Sequence, residues 1–461
     1  MRGFGSNREV SGMNDDTRRR DRRFAIKTWH LILAILAALI VLVGLYAVIR
    51  KGSVNRQLEA LRAAGYPTSL AELAEDSKLP EGTANAAELY LRAFAAFVPP
   101  VAGANIPYLG GAPLPDRGKP LAEPMVKAIA QCLASNQQCL SLLHEAGGIQ
   151  DCDYDWDGRM YAAGMSQWGD LKHCAQLLVL EALYSAHAGD PNATIQCIED
   201  GLRLADSLSR ESVLIGYLVR VACISVALGG LERSLSLTAY TDAQLRELGD
   251  ALTATADSLD FTQAMIAERC LMIEMCRNPA LAAGGSGAGG TPPRFLGRWG
   301  LDDVLDYMGK CVDASRLPPG QRLARFRAIE KEVEDLSFLH VMIKMTAPAM
   351  SRVAALDLRM RAHLDLTRTA LALERYRLAT GKLPEALNAL VPQYLAQVPI
   401  DPFDGQALRY RRTDPGYLLY DVGEDGQDNG GLERDQTNRG APYDWCFIVT
   451  RQSKRTPAGL S

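Results

Sequence analysis

Two apolar runs break the alternation of polar and apolar positions along the chain. Residues 31–49 include no charged side chain. At the rise of an α-helix this run spans roughly 28 Å, about the hydrocarbon thickness of a bilayer. Trp29 and Tyr46 stand near its ends, where amphipathic rings favour the membrane interface, and Arg50 and Lys51 stop it. The second run, 213–228, is nearly as apolar but has Arg220 at its centre. A charge at mid-bilayer is costly and the run is short, so it predicts a buried core helix with Arg220 paired to a carboxylate.

Most of the remaining chain has helical periodicity. Segments 55–64 and 85–98 read as amphipathic helices, and 167–336 is predominantly helical. Leu171, Cys174, Leu178 and 180–183 form one stripe. Ala188-Gly189-Asp190-Pro191 ends that helix and starts the next, over 193–208. This helix, turn and helix resemble a tetratricopeptide-like hairpin, without a strict 34-residue period. Thr241-Asp242 supplies an N-cap for a helix over 243–259, and further helices are expected over 261–276, 301–312 and 322–336. The Pro- and Gly-rich stretch 99–124 reads as a long surface loop.

Towards the end the pattern changes. Val353, Leu356, Met360, Leu364, Leu371 and Leu378 share one helical face. Gly381 offers the left-handed stop and Pro384 blocks re-entry. A short turn of helix follows over 385–390. Asp401-Pro402 and Asp404-Gly405 form turns. Two strands are expected over 408–411 and 417–422, joined by a hairpin turn at Asp414-Pro415-Gly416. The second strand runs into Gly423-Glu424-Asp425-Gly426-Gln427-Asp428-Asn429-Gly430-Gly431. Glycines let the backbone fold tightly there, and carboxylates with exposed carbonyls suit a hard cation such as calcium; a solvated acidic turn has the same composition.

The residues Gly381, Leu383-Pro384, Leu390, Pro392, Tyr394-Leu395, Pro399, Asp401-Pro402, Gly405, Tyr410, Tyr417, Leu419-Tyr420, Gly423, Asp425-Gly426 and Gly430-Gly431 occur in an order that resembles the C-terminal part of the major pseudopilin of bacterial type II secretion. The resemblance covers about the last quarter of the chain, 353–450. It implies a small antiparallel sheet packed on a long helix and a calcium-binding loop. The implied ligands are Asp425 and Asp428, with Asp444 from the next strand and main-chain carbonyls near Tyr420 and Gly423. Pseudopilins begin with a cleavable leader and a membrane helix continuous with the pilin helix. In this chain the pilin-like helix follows hundreds of residues of other sequence.

Composition narrows the functional classes. The net charge of −4 gives no reason to expect a nucleic-acid partner. The arginines at 18–20 and 22–23 precede the first apolar run and predict a cytoplasmic N-terminus, with everything after Arg50 outside the cytoplasm. The linker at 284–290 (GGSGAGG) lacks the Lys-Ser/Thr ending of a phosphate loop, so no nucleotide is expected. Asp153, Asp155, Asp157 and Gly158 match half of an EF-hand loop, but Gly164 stands where the bidentate Glu belongs, and a helix-leading acidic turn is the plainer reading. Ten cysteines carry no C-x-x-C or zinc spacing and read as small core residues, with long-range disulfides open in an oxidising compartment. The six histidines are isolated, and no H-E-x-x-H or G-x-S-x-G occurs.

The expected architecture is mainly α. A basic tail (1–28) precedes a single N-terminal transmembrane helix (29–50). A large α-helical, helical-hairpin domain (51–350) follows, then a small α+β pseudopilin-like domain with antiparallel strands (351–450) and a disordered tail (451–461). The expected function is that of a membrane-anchored bacterial envelope protein of non-catalytic type. One helix meets the lipid bilayer, the helical domain meets a protein partner, and calcium is the cofactor. The alternatives are a cell-wall-polymer hydrolase with carboxylates in a helical cleft, or an accessory component of type II secretion.

Overall fold

The computed structural model describes residues 12–114, 116–154, 165–210, 213–278, 300–336, 340–433 and 442–451. The half EF-hand pattern at Asp155, Asp157 and Gly158 and the glycine linker at 284–290 lie outside the described residues. The chain is mainly helical with one small antiparallel sheet, and it divides into two compact units, Met1–Gly65 and Tyr66–Ser461.

The first unit is built on one long helix, α1 (Gly12–Ala63). Its apolar stretch leaves large side chains uncovered: Leu33, Ile35, Leu36, Leu39, Ile40, Val41, Leu42, Leu45 and Val48 are all exposed, Val48 at 69%.

The second unit begins with α2 (Leu70–Ser77), α3 (Ala87–Ala96), α4 (Glu123–Ser135) and α5 (Gln137–Gly147). Three helices then form its centre: α6 (Met165–Ala188), α7 (Pro191–Asp206) and α8 (Leu214–Leu237), each packed on the other two. Between α6 and α7, Gly189 takes a left-handed φ of 80° and Asp190 accepts a hydrogen bond from the Ala193 N–H, with Pro191 at the first helical position. These are the local signals that make a tight helical hairpin. Among the described residues, α8 is the helix long and apolar enough to cross a membrane, and 61% of that stretch is buried inside the protein; a shorter apolar stretch lies at Leu33–Leu42. Arg220 is 3% exposed and is held by Asp206 and by both the carbonyl and the hydroxyl of Ser258. At Gly230 an added Cβ would lie 2.9 Å from Val179 and 3.2 Å from Ile198, so glycine lets α8 approach α6 and α7 closely.

The chain continues through α9 (Asp242–Ser258), α10 (Phe261–Arg277), α11 (Leu301–Ser315) and α12 (Pro319–Glu334). A full capping box starts α9, with Thr241 and Gln244 bonding each other's backbone N–H groups. The longest helix of this unit, α13 (Val341–Thr380), packs on α9, α12 and the sheet. It starts before the run that begins at Val353 and continues through Pro348. It ends at Gly381, whose φ of 75° lets its N–H return to the Arg377 carbonyl.

A buried ionic centre sits on α13. Asp357 is fully buried and accepts from Arg322, from Arg361 at 3.2 Å and from the Tyr217 hydroxyl. Glu374, 1% exposed, likewise holds Arg377 and Arg451. Charges this deep persist because each finds an opposite charge and hydrogen bonds.

The sheet has strand order β1-β2-β3: β1 (Arg409–Thr413), β2 (Gly416–Asp421) and β3 (Trp445–Thr450). β1 and β2 form a tight hairpin around Asp414-Pro415, with Thr413 opposite Gly416. β2 is the central strand and packs with β3 against α13, while β3 also touches α8. All ten cysteines are free; nine are buried and Cys446 is half-buried. No disulfide forms, and most of them are the small core residues that the sequence predicts.

Candidate ion sites

The C-terminal loop leaves β2 at Asp421, turns through Gly423–Asp425 and returns to β3 at Asp444. Gly423, Gly426, Gly430 and Gly431 all adopt positive φ. At Gly431 the need is also steric, because a Cβ would come within 2.4 Å of Leu418.

Asp444 organises this loop. Its carboxylate is 2% exposed and accepts from the Asn429 N–H at 3.1–3.2 Å, the Asn429 side-chain amide at 3.3 Å and the Gly431 N–H at 2.7 Å. Asp428 accepts from the Gly430 N–H at 2.8 Å and from the Tyr420 hydroxyl at 3.2 Å, and its second oxygen lies 3.8 Å from Arg409. Asp425 is exposed, and its carboxylate accepts the Gln427 N–H at 3.1 Å. It lines a groove of about 400 Å³ with Arg359, Glu424, Tyr443 and Trp445, in which the Arg359 guanidinium lies 4.2 Å from the centre of the Trp445 ring. The Gly423 carbonyl accepts from the Gly426 N–H, and Tyr420 lies within β2, paired with both neighbouring strands. The structure therefore gathers Asp428, Asp444 and Tyr420 around one loop, puts Gly423 at its entrance and leaves Asp425 on the rim.

Two further carboxylates lie beneath the loop. Asp401 and Asp421 are both fully buried. Asp401 accepts from the Phe403 and Val422 N–H groups, both at 2.9 Å, and from Arg409 at 2.6 Å. Asp421 accepts from the Gly423 N–H at 2.9 Å through one oxygen, and its Oδ2 has no hydrogen-bond partner. Burial, reinforced by the negative charge of Asp401, pushes the Asp421 carboxyl up to about 8. The sequence placed Asp401 in a turn and Asp421 in a strand; neither pattern reveals a buried acid.

Arg409 pairs with Asp401, Asp404 and Asp428, and so joins the buried carboxylate beneath the loop to one on the loop itself. Asp428, Asp444 and the nearby main-chain carbonyls form an all-oxygen donor set, the kind a hard cation takes. Among the described residues, one set of three His, Cys, Asp or Glu side chains brings ligand atoms within 4.8 Å of one another, and it lies elsewhere: His144, Glu181 and Cys197. Sequence reasoning missed it, because the three residues stand on three helices with no short-range spacing to join them.

No family model, curated protein or solved structure matches the chain.

Proposed function

We propose that this chain is a single-pass bacterial envelope protein of non-catalytic type. Its N-terminus is cytoplasmic, and its helical body and pseudopilin-like cap lie outside the cytoplasm. The observation that carries the reading is α1. Its apolar stretch has no charge and leaves its large side chains uncovered, a costly surface in water and the expected one in lipid. The arginines before it favour the cytoplasmic side. By contrast, the burial of α8 and its paired Arg220 speak for a core helix and against α8 as the anchor.

Calcium is the proposed ion of the C-terminal loop, held by Asp428 and Asp444 with nearby carbonyls, and by Asp425 at the rim. When bound, it would fasten the loop against Asp444 at the start of β3. The body is proposed to bind a protein partner. A groove of about 670 Å³ between α9, α13 and 394–400 supports this, with Leu395 and the exposed Ile400 beside Arg246, Arg368 and Arg375.

Two experiments on the full chain test the reading, the first in detergent and the second on isolated membranes. Calorimetry should detect one calcium per chain, with the heat lost in Asp444→Ala and in Asp428→Asn; absence of heat in the wild type removes the ion. Alkaline extraction of membranes should leave the chain in the pellet, and its release would remove the anchor.

A further inference from the structure

A second ion centre, separate from the C-terminal loop, is built into the helical body. His144 lies in the last turn of α5, Glu181 on α6, and Cys197 and Asp200 on α7. His144 Nδ1 lies 2.6 Å from Asp200 Oδ2, and Nε2 lies 3.0 Å from Glu181 Oε2. A ring nitrogen of His144, a Glu181 carboxylate oxygen and Cys197 Sγ all fall within 4.8 Å of one another. Asp200 and Cys197 are each 2% exposed, whereas the His144 and Glu181 side chains are 30% and 25% exposed.

We propose that His144 Nε2, Glu181 and Cys197 Sγ form a three-ligand zinc site, with Asp200 orienting the imidazole and water in the fourth position. The donor set decides the metal. Nitrogen, sulfur and carboxylate oxygen together suit zinc and disfavour calcium or magnesium, which take oxygen alone. A tetrahedral centre with bonds of about 2.0–2.3 Å has ligand atoms roughly 3.3–3.8 Å apart, so these side chains need only small shifts. The half-exposed edge formed by His144 and Glu181 gives an ion and a water a way in.

The supporting shell is the stronger part of the case. A metal-bound histidine commonly gives its other ring N–H to a carboxylate, which fixes the tautomer. Asp200 occupies that position at hydrogen-bond distance. It is itself held by Gln196, whose side-chain amide donates to both oxygens at 3.0–3.1 Å. Gly147 lies over it so closely that a Cβ would come within 2.0 Å of Oδ1.

The site would tie α5 to α6 and α7, two of the three helices at the centre of the body.

The test uses the metal-stripped full chain in detergent. Competition with a chromophoric chelator should show one zinc per chain, and cobalt should give four-coordinate visible bands with a sulfur-to-cobalt band. Cys197→Ser should abolish the sulfur band and weaken zinc at least tenfold. Asp200→Asn should keep the band and weaken zinc by about 10–100-fold. Cys446→Ser should change neither. X-ray absorption of the wild-type zinc complex, which needs no variant to fold, should find one sulfur among lighter ligands. The proposal is overturned by absence of stoichiometric zinc, by a sulfur-free shell, or by a sulfur band that survives Cys197→Ser.

Discussion

α8 and the apolar stretch of α1 are made of the same kinds of residue and meet opposite surroundings. Along α8, leucines, valines and alanines disappear into contacts with α6, α7 and β3, and the one central charge finds Asp206 and Ser258. Along α1, side chains of the same type stand uncovered, with no charge among them from 31 to 49. Hydropathy alone does not separate these two cases. What separates them is whether the rest of the protein covers the surface, and a buried arginine with a dedicated partner marks the protein-packed case.

The most disruptive change lies in α1. Changing both Leu36 and Ile40 to Arg should cost about 5–7 kcal/mol of membrane insertion, from about 2.5–3.5 kcal/mol per central arginine. The chain should leave the membrane pellet while the body keeps its melting temperature. Retention in the pellet would mean that α1 is not what holds the protein there.

Next comes Arg220→Leu in α8. In a membrane helix, removing a central charge is favourable. In a core helix it breaks a buried pair and strands the Ser258 carbonyl, so the body should lose about 3–5 kcal/mol in denaturant unfolding. An unchanged or stabilised variant would return α8 to the membrane.

His363 on α13 reports burial through pH. Desolvation lowers its pKa to about 4, and its ring meets Phe447 of β3 edge-on. Because the folded pKa lies below the ordinary value of 6.5, this contribution is complete above pH 6.5. It is lost as pH falls from there through 4, up to about 3 kcal/mol. A stability profile over that range should flatten in His363→Gln.

The smallest effect belongs to Gly230→Leu, which overfills the crossing of α8 with α6 and α7. A loss of about 1–3 kcal/mol is expected. The same change would be harmless on a helix face turned to lipid.

Local patterns were readable in the sequence. The capped start of α9, the Gly189-Asp190-Pro191 hairpin, the Gly381 stop and the turn at Asp414-Pro415 all depend on residues within a few positions of one another. The burial of Arg220 was readable because its apolar flanks leave few alternatives. Long-range convergence was not. His144 and Glu181 lie 37 positions apart and meet only because α5 and α6 pack together. Asp401 and Asp421, 20 positions apart, became neighbours through the return of β2 under the turn at 401–405, which no periodicity encodes. Leu378 shares the apolar face of α13 yet is 43% exposed, close to the C-terminal end of the helix.

The arrangement across the bilayer is tested most directly by labelling single introduced cysteines with a membrane-impermeant maleimide in spheroplasts. Leu432, 57% exposed beside the C-terminal loop, gives the outer probe as Leu432→Cys. Ser6→Cys gives the probe before α1. The account predicts that Leu432→Cys labels in intact spheroplasts and Ser6→Cys only after lysis. Labelling in the reverse order would contradict it.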